Sequence, residues 1–144
     1  MVDILHRIGA RGVTPDAAYQ AVATRAGVAS WWIGDTTGDD AVGGTLQFGA
    51  GIAGTMVEKR PGEHVDWQIT AGPKEWVGTH VTFDIRADGE YTIVLFSHSG
   101  WAQPVEFMHH CSTKWGVFLI SLKQLLETGT GAPTPGDVHI DNWS

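Results

Sequence analysis

The feature that most limits what this chain can fold into lies near its end. From Pro104 to Glu127 the apolar residues recur with helical spacing. At 100° per residue, Phe107, Met108, Cys111, Trp115, Phe118, Leu119, Leu122, Leu125 and Leu126 share one broad face, with Glu106, His109, Thr113, Lys123, Gln124 and Glu127 opposite. The pattern predicts one helix of ~24 residues, about 36 Å long at 1.5 Å per residue. Gly129 is placed to end it. No other segment is comparably long, so an apolar sheet face in this chain must be covered by this helix.

The segments before it read as such a sheet. Val2 to Arg11 is a predicted first strand. Thr14, Pro15 and Asp16 start a helix as cap, first-turn proline and dipole-favoured acid, and it runs to Ala26 with Gly27 as its breaker. A short second helix or turn covers Val28 to Trp32, and Asp35 to Asp40 reads as a polar loop. Five strand-like runs follow: Gly43 to Phe48, Ile52 to Lys59, His64 to Thr70, Val77 to Arg86 and Glu90 to Ser99. The last two are joined at Asp88-Gly89, a strong hairpin signal. The predicted architecture is α+β. It is a single domain over residues 1–144, with a curved antiparallel sheet of about six strands wrapped around the C-terminal helix and two short helices after the first strand. Such a sheet leaves a hollow against the helix, the natural place for a site. The tail carries Pro133, Pro135 and Gly136 and cannot continue the helix, but Val138, Ile140 and Trp143 can dock it as an extended segment.

Alternation then selects what faces the hollow. A two-residue turn at Asp88-Gly89 sets Ile85 opposite Thr92, Phe83 opposite Val94, Val81 opposite Phe96 and Thr79 opposite His98, all on one face. Val65, Trp67 and Ile69 face the same way on the neighbouring strand. This leaves a Tyr91, Ile93 and Leu95 stripe on the outer face, either a partner or dimer surface or one covered by the tail or a loop. The register around Glu58 is open, because the Arg60-to-Glu63 turn fits no two-residue type; Glu58 is either an inward carboxylate or a solvated strand residue.

Composition excludes whole classes of partner. The net charge is −7, without a Lys/Arg run, which argues against nucleic acid and anionic membranes. One cysteine, Cys111, makes neither an internal disulfide nor a thiolate zinc cluster. Seven tryptophans and 42% hydrophobic residues are too apolar for disorder. No signal-peptide pattern or membrane-length apolar run is present, so the expected location is cytoplasmic.

Two apparent motifs dissolve on physical grounds. Gly49-Ala50-Gly51-Ile52-Ala53-Gly54 matches G-x-G-x-x-G, but a β-prone run ending in Pro61-Gly62 follows it, not the helix a dinucleotide needs. His109-His110-Cys111 resembles a metal cluster, but helix neighbours point about 100° apart and do not close on one ion. No cofactor or metal is implied. His98 remains as a titratable candidate, either a ligand donor or acid–base group or a satisfied structural histidine.

The order of several local patterns is more specific than any one of them. Trp31-Trp32 follows the first helices, and Gly43-Gly44 precedes Leu46 and Phe48. The Pro61-Gly62 turn and Val81-Thr82-Phe83 come before Gly89. Ser97-His98-Ser99-Gly100-Trp101 leads to Trp115, Leu119, Leu122 and Leu126-Glu127-Thr128-Gly129. Together they resemble the activator-of-heat-shock-protein-90-ATPase homologue family, within the START-like (SRPBCC, birch-pollen-allergen-like) superfamily, over roughly Ile4 to Gly131. The resemblance implies a helix-grip fold with a cavity between sheet and helix. It transfers no catalytic residue, because the superfamily has no universal one. Its members bind lipids, hormones or polyketides, and a few catalyse cyclisation or dehydration.

Three readings of function stay open. The first is binding of a small hydrophobic molecule in a pocket walled by Trp67, Val81, Phe83, Phe96, Cys111, Trp115 and Phe118, with His98 as polar handle. The second is a cavity enzyme of the polyketide cyclase/dehydratase type, with His98 as acid–base beside Glu58 or Thr79. The third is a protein-interaction module, a homodimer or chaperone partner meeting the Tyr91, Ile93 and Leu95 stripe.

Overall fold

The computed structural model describes residues 1–144. Its order is β1 (Val2–Arg11), α1 (Pro15–Ala23), α2 (Arg25–Trp31), β2 (Thr37–Gly38), β3 (Thr45–Gly49), β4 (Ile52–Arg60), β5 (His64–Ala71), β6 (His80–Asp88), β7 (Tyr91–Trp101) and α3 (Glu106–Thr128). The seven strands form one antiparallel sheet in the order β1-β7-β6-β5-β4-β3-β2. Helix α3 lies against it, and the fold is the helix-grip fold expected. α3 buries Cys111, Trp115, Phe118, Leu119 and Leu122 and ends at Gly129, whose left-handed φ of 86° and N–H to the Leu125 carbonyl close it.

Local chemistry explains the departures from expectation. α1 starts as predicted, with Thr14 Oγ1 accepting from the Ala17 N–H at 3.1 Å and Pro15 in the first turn. It ends at Thr24, not at Gly27. Thr24 caps α2 through Gly27 N–H at 3.0 Å, and Gly27 lies inside α2. A Cβ at Gly27 would fall 2.4 Å from the Gln20 carbonyl, so the glycine permits the two helices to touch. The loop at Asp35 to Asp40 contains the two-residue β2, making seven strands instead of six. β6 begins at His80, three residues later than expected, because turns through Trp76 and Gly78 (φ 88°) occupy the preceding residues.

The β6–β7 register is Ile85 with Val94, Phe83 with Phe96, and Val81 with His98. This is two residues from the predicted pairing, because Gly89-Glu90 and not Asp88-Gly89 forms the turn. A two-residue slip keeps every side chain on its face, and the inward set is buried as predicted. The outer stripe is interrupted: Tyr91 and Leu95 are half-exposed, but Ile93 is buried over Gly9 of β1, where a Cβ would come within 3.1 Å of its Cδ1. A bulge between Met56 and Glu58 resolves the open register. It turns Glu58 outward, beside His64 Nε2 at 3.2 Å and Arg60 Nε at 3.7 Å.

Beyond α3 the tail folds back along the molecule. Ala132 N–H donates to Ser121 Oγ at 2.7 Å, and Thr134 exchanges backbone hydrogen bonds with Trp32 and Gly34 at 2.8 and 3.2 Å. Of the apolar residues expected to dock it, Trp143 packs on Phe107 and His110 at 6.3 and 5.3 Å and Ile140 is partly buried, whereas Val138 is left 64% exposed.

Candidate functional site

The hollow between sheet and helix is filled over most of its length. Trp32 caps α2 and turns its ring inward, where it stacks on Trp67 at 5.6 Å and meets Trp115 at 5.0 Å and Phe48 at 4.7 Å. Trp67 contacts Phe83 at 5.1 Å, Phe83 contacts Phe96 at 5.6 Å, and Phe96 contacts Trp115 at 4.7 Å. These centroid distances are those of packed aromatic pairs. Trp67, Val81, Phe83 and Phe96 are therefore core residues with no open space before them.

His98 belongs to this filled end. It has no exposed surface. Its Nδ1 accepts from Trp115 Nε1–H at 3.1 Å, and its Nε2 lies 2.8 Å from Thr79 Oγ1. The Thr79 hydroxyl donates to the Trp76 carbonyl at 2.5 Å, so it accepts from His98 Nε2–H. That network assigns the neutral Nε2–H tautomer. Burial pushes the His98 pKa down to about 3. Both ring nitrogens are engaged inside the protein, and neither is presented to a substrate.

An open end remains between the first half of α3 and the tail. It is a pocket of about 310 Å³ walled by Trp32, Trp76, Phe107, Cys111, Trp115 and Phe118. Ile52, the first residue of β4, and Pro73, in the turn after β5, close one side, and Pro135, Asp137 and His139 of the tail form the roof. Of the eight site residues proposed from sequence, three reach this pocket (Cys111, Trp115 and Phe118) and five do not. The Cys111 thiol is raised to about 12, chiefly by burial, so it is an unreactive wall group.

The pocket is lined by one lysine, Lys114. Its side chain is only 11% exposed and lies 5.0 Å from the Phe118 ring centroid. Its ammonium donates to Asp137 Oδ2 and to the Val138 carbonyl at 3.0 Å. Burial would raise the Asp137 pKa, but hydrogen bonds from Lys114, its own backbone and Thr134 outweigh it and hold the carboxyl below its usual range. A second tail anchor joins His110 Nδ1 to Asp141 Oδ2 at 2.7 Å. His109, His110 and Cys111 thus diverge, to solvent, to the tail and to the pocket wall. Sequence reasoning missed Lys114, although its spacing from Cys111 and Phe118 puts a cation on the apolar face of α3. It also missed Asp137, which has no periodic pattern around it.

Residues 12–127 match the family described as activator of Hsp90 ATPase homolog 1-like protein. Among solved structures, the Aha1 dimer from Colwellia psychrerythraea is 40% identical, with a TM-score of 0.80 over 91% of this chain and 100% of that one. CalU16 from Micromonospora echinospora is 18% identical, with a TM-score of 0.78 over 96% of this chain and 74% of that one. DynU16, a putative protein in the dynemicin biosynthetic locus, is 18% identical, with a TM-score of 0.67 over 90% of this chain and 48% of that one. Comparison with curated protein sequences gives no match. No helix is long and apolar enough to cross a membrane. The match spans most of the chain and agrees with its sheet order and long helix: this protein belongs to the family of activator of Hsp90 ATPase homolog 1-like proteins.

Proposed function

We propose that the open end of the hollow binds a small, largely apolar molecule. One observation carries this reading: a pocket of about 310 Å³ persists, with aromatic walls, in an otherwise tightly filled interior. That volume is at the lower end of the roughly 300–1,000 Å³ range of small-molecule sites. Trp32, Trp76 and Trp115 offer flat apolar faces, and the Lys114–Asp137 pair offers a charged corner to orient a ligand. The site is therefore shifted from the one expected, away from His98 and toward the tail. Titration with a panel of hydrophobic molecules should quench tryptophan fluorescence saturably. Non-saturable quenching throughout the panel would defeat the reading.

A second reading is self-association, favoured by the outer face of β1 and β7. Leu5 is 71% exposed there, with half-exposed Leu95 next to it and Tyr91 at the far end of the same pair of strands. The 40% identical Colwellia protein is a dimer. Sedimentation of the wild type and Leu5→Lys tests it: a dimer that dissociates in the variant supports this face, and a monomeric wild type removes it. A chaperone partner on the same face would instead show as a change in chaperone ATPase rate on addition of the protein.

A further inference from the structure

The polar corner of the pocket is already occupied by a carboxylate. Asp137 reaches Lys114 from a tail with no regular secondary structure, and its side chain is only 7% exposed. Lys114 meanwhile sits on the apolar face of α3, one turn from Phe118 and among the pocket walls. Burying an ammonium is costly unless an anion comes with it. Here that anion is supplied by an irregular segment otherwise held by the Ala132–Ser121 hydrogen bond, a backbone bridge at Thr134, the Lys114–Val138 carbonyl and His110–Asp141 bonds, and Trp143 ring contacts with Phe107 and His110. The rest of the wall is aromatic and aliphatic, and the other polar groups lining it are His110, His139, Thr134 and Ser144.

We propose that the pocket takes an amphipathic carboxylate, an apolar body with one carboxyl group, and that Asp137 holds the place of that group while the pocket is empty. The proposal rests on the reading of this pocket as a ligand site and adds the ligand's class. The exchange conserves charge at Lys114, which is desolvated before and after, so the ligand carboxylate incurs no new cost for the lysine. Asp137 leaves for water, where an ionised carboxylate is stable. The ligand's body covers the aromatic walls. A monoanion matches the site, since Lys114 is the one lysine or arginine lining the pocket. A dianionic phosphate would be left with half its charge unpaired.

The test compares decanoate with decanol, identical apolar chains with and without the charge, by calorimetry at pH 7. Wild type, Asp137→Asn and Lys114→Met are titrated with both. Decanoate should bind the wild type roughly tenfold more tightly than decanol does. Asp137→Asn should tighten decanoate about tenfold further and leave decanol unchanged, because the competing carboxylate is gone. Lys114→Met should erase the preference. Amide exchange of residues 137–144 should accelerate in the wild type with decanoate and not with decanol. Equal binding of the two probes in wild type and Asp137→Asn would overturn the carboxylate proposal while leaving the pocket a binding site. Saturable binding of neither would overturn both. If Lys114→Met does not fold, the Asp137→Asn comparison and the exchange data decide.

Discussion

The two ends of the hollow solve the same problem in opposite ways. Each places a titratable side chain among aromatic rings. At the filled end, His98 stays neutral, with one hydrogen bond at each ring nitrogen and the sheet sealing it from water. At the open end, Lys114 is paired with Asp137, supplied by a tail outside any helix or strand. Trp115 links the two: its Nε1–H holds His98, and its ring walls the pocket. Polarity at the filled end fixes one packing. Polarity at the open end joins two segments, α3 and the tail.

Packing should report the contrast most strongly. Phe83→Ala, at a fully buried position ringed by Trp31, Trp67 and Phe96, should destabilise by about 3–5 kcal/mol in denaturant unfolding. Phe118→Ala should cost about half as much, because one side of that ring already faces the pocket and has fewer partners to lose. Equal losses would mean that the pocket is closed in solution and that the two ends do not differ.

The reasons for this division were only partly legible in the sequence. The helix was, because nine apolar residues at helical spacing admit no other element. The strand faces were too, since alternation survives a two-residue error in register: Phe83 and Val81 face inward whichever β7 residue they meet. What filled the hollow was not legible. Trp31 and Trp32 are adjacent, and on a helix they would point about 100° apart. Both are nonetheless buried, because Trp32 is the residue where α2 ends and the chain turns. Trp76 lies in a turn, where no periodicity assigns a direction. The roof was hidden for the same reason, since Asp137 is positioned by the tail's anchors at Thr134 and Asp141 rather than by a repeating pattern.

Acid should separate the ends next. The His98 pKa of about 3 lies below its unfolded value of about 6.5. Between those values the unfolded chain binds a proton that the folded one refuses. Stability therefore rises with pH through this window and falls as pH drops from 6.5 toward 3. The loss between pH 7 and pH 5 should be about 2 kcal/mol. His98→Gln, which can still accept from Trp115 and donate to Thr79, should lose less over that range by the same amount. If the wild type and His98→Gln have parallel stability curves between pH 5 and 7, His98 is solvated and the filled end is not sealed.

The open end should yield less. Breaking a buried ion pair by removing one partner usually costs about 3–5 kcal/mol, because the other is stranded. Lys114→Met should cost only about 1 kcal/mol, since Asp137 can leave with the tail and regain water. Faster amide exchange confined to residues beyond Thr134 would mark this release. A cost in the usual buried-pair range, with the tail still protected, would make the tail part of the core.

The smallest effect is also the one that orders the two ends in pH. The Asp137 carboxyl is depressed below its ordinary value of 3.8, as is that of Asp141, whose first cause is the hydrogen bond from His110. A depressed carboxyl contributes stability above its unfolded pKa and loses it as pH falls through the folded one. The tail anchors should thus stay intact at pH 5, where the His98 contribution is already being lost, and weaken only below about 4. On descending pH, global stability should decline first with the tail in place. Exchange protection at residues 137–144 should disappear later, below the ordinary carboxylate range. Asp137→Asn should remove most of that late step and leave the early one untouched, since the early one belongs to His98. Tail protection vanishing in step with the early decline would show instead that the roof is held by the packing around His98, so that the pocket could not open without loosening the core.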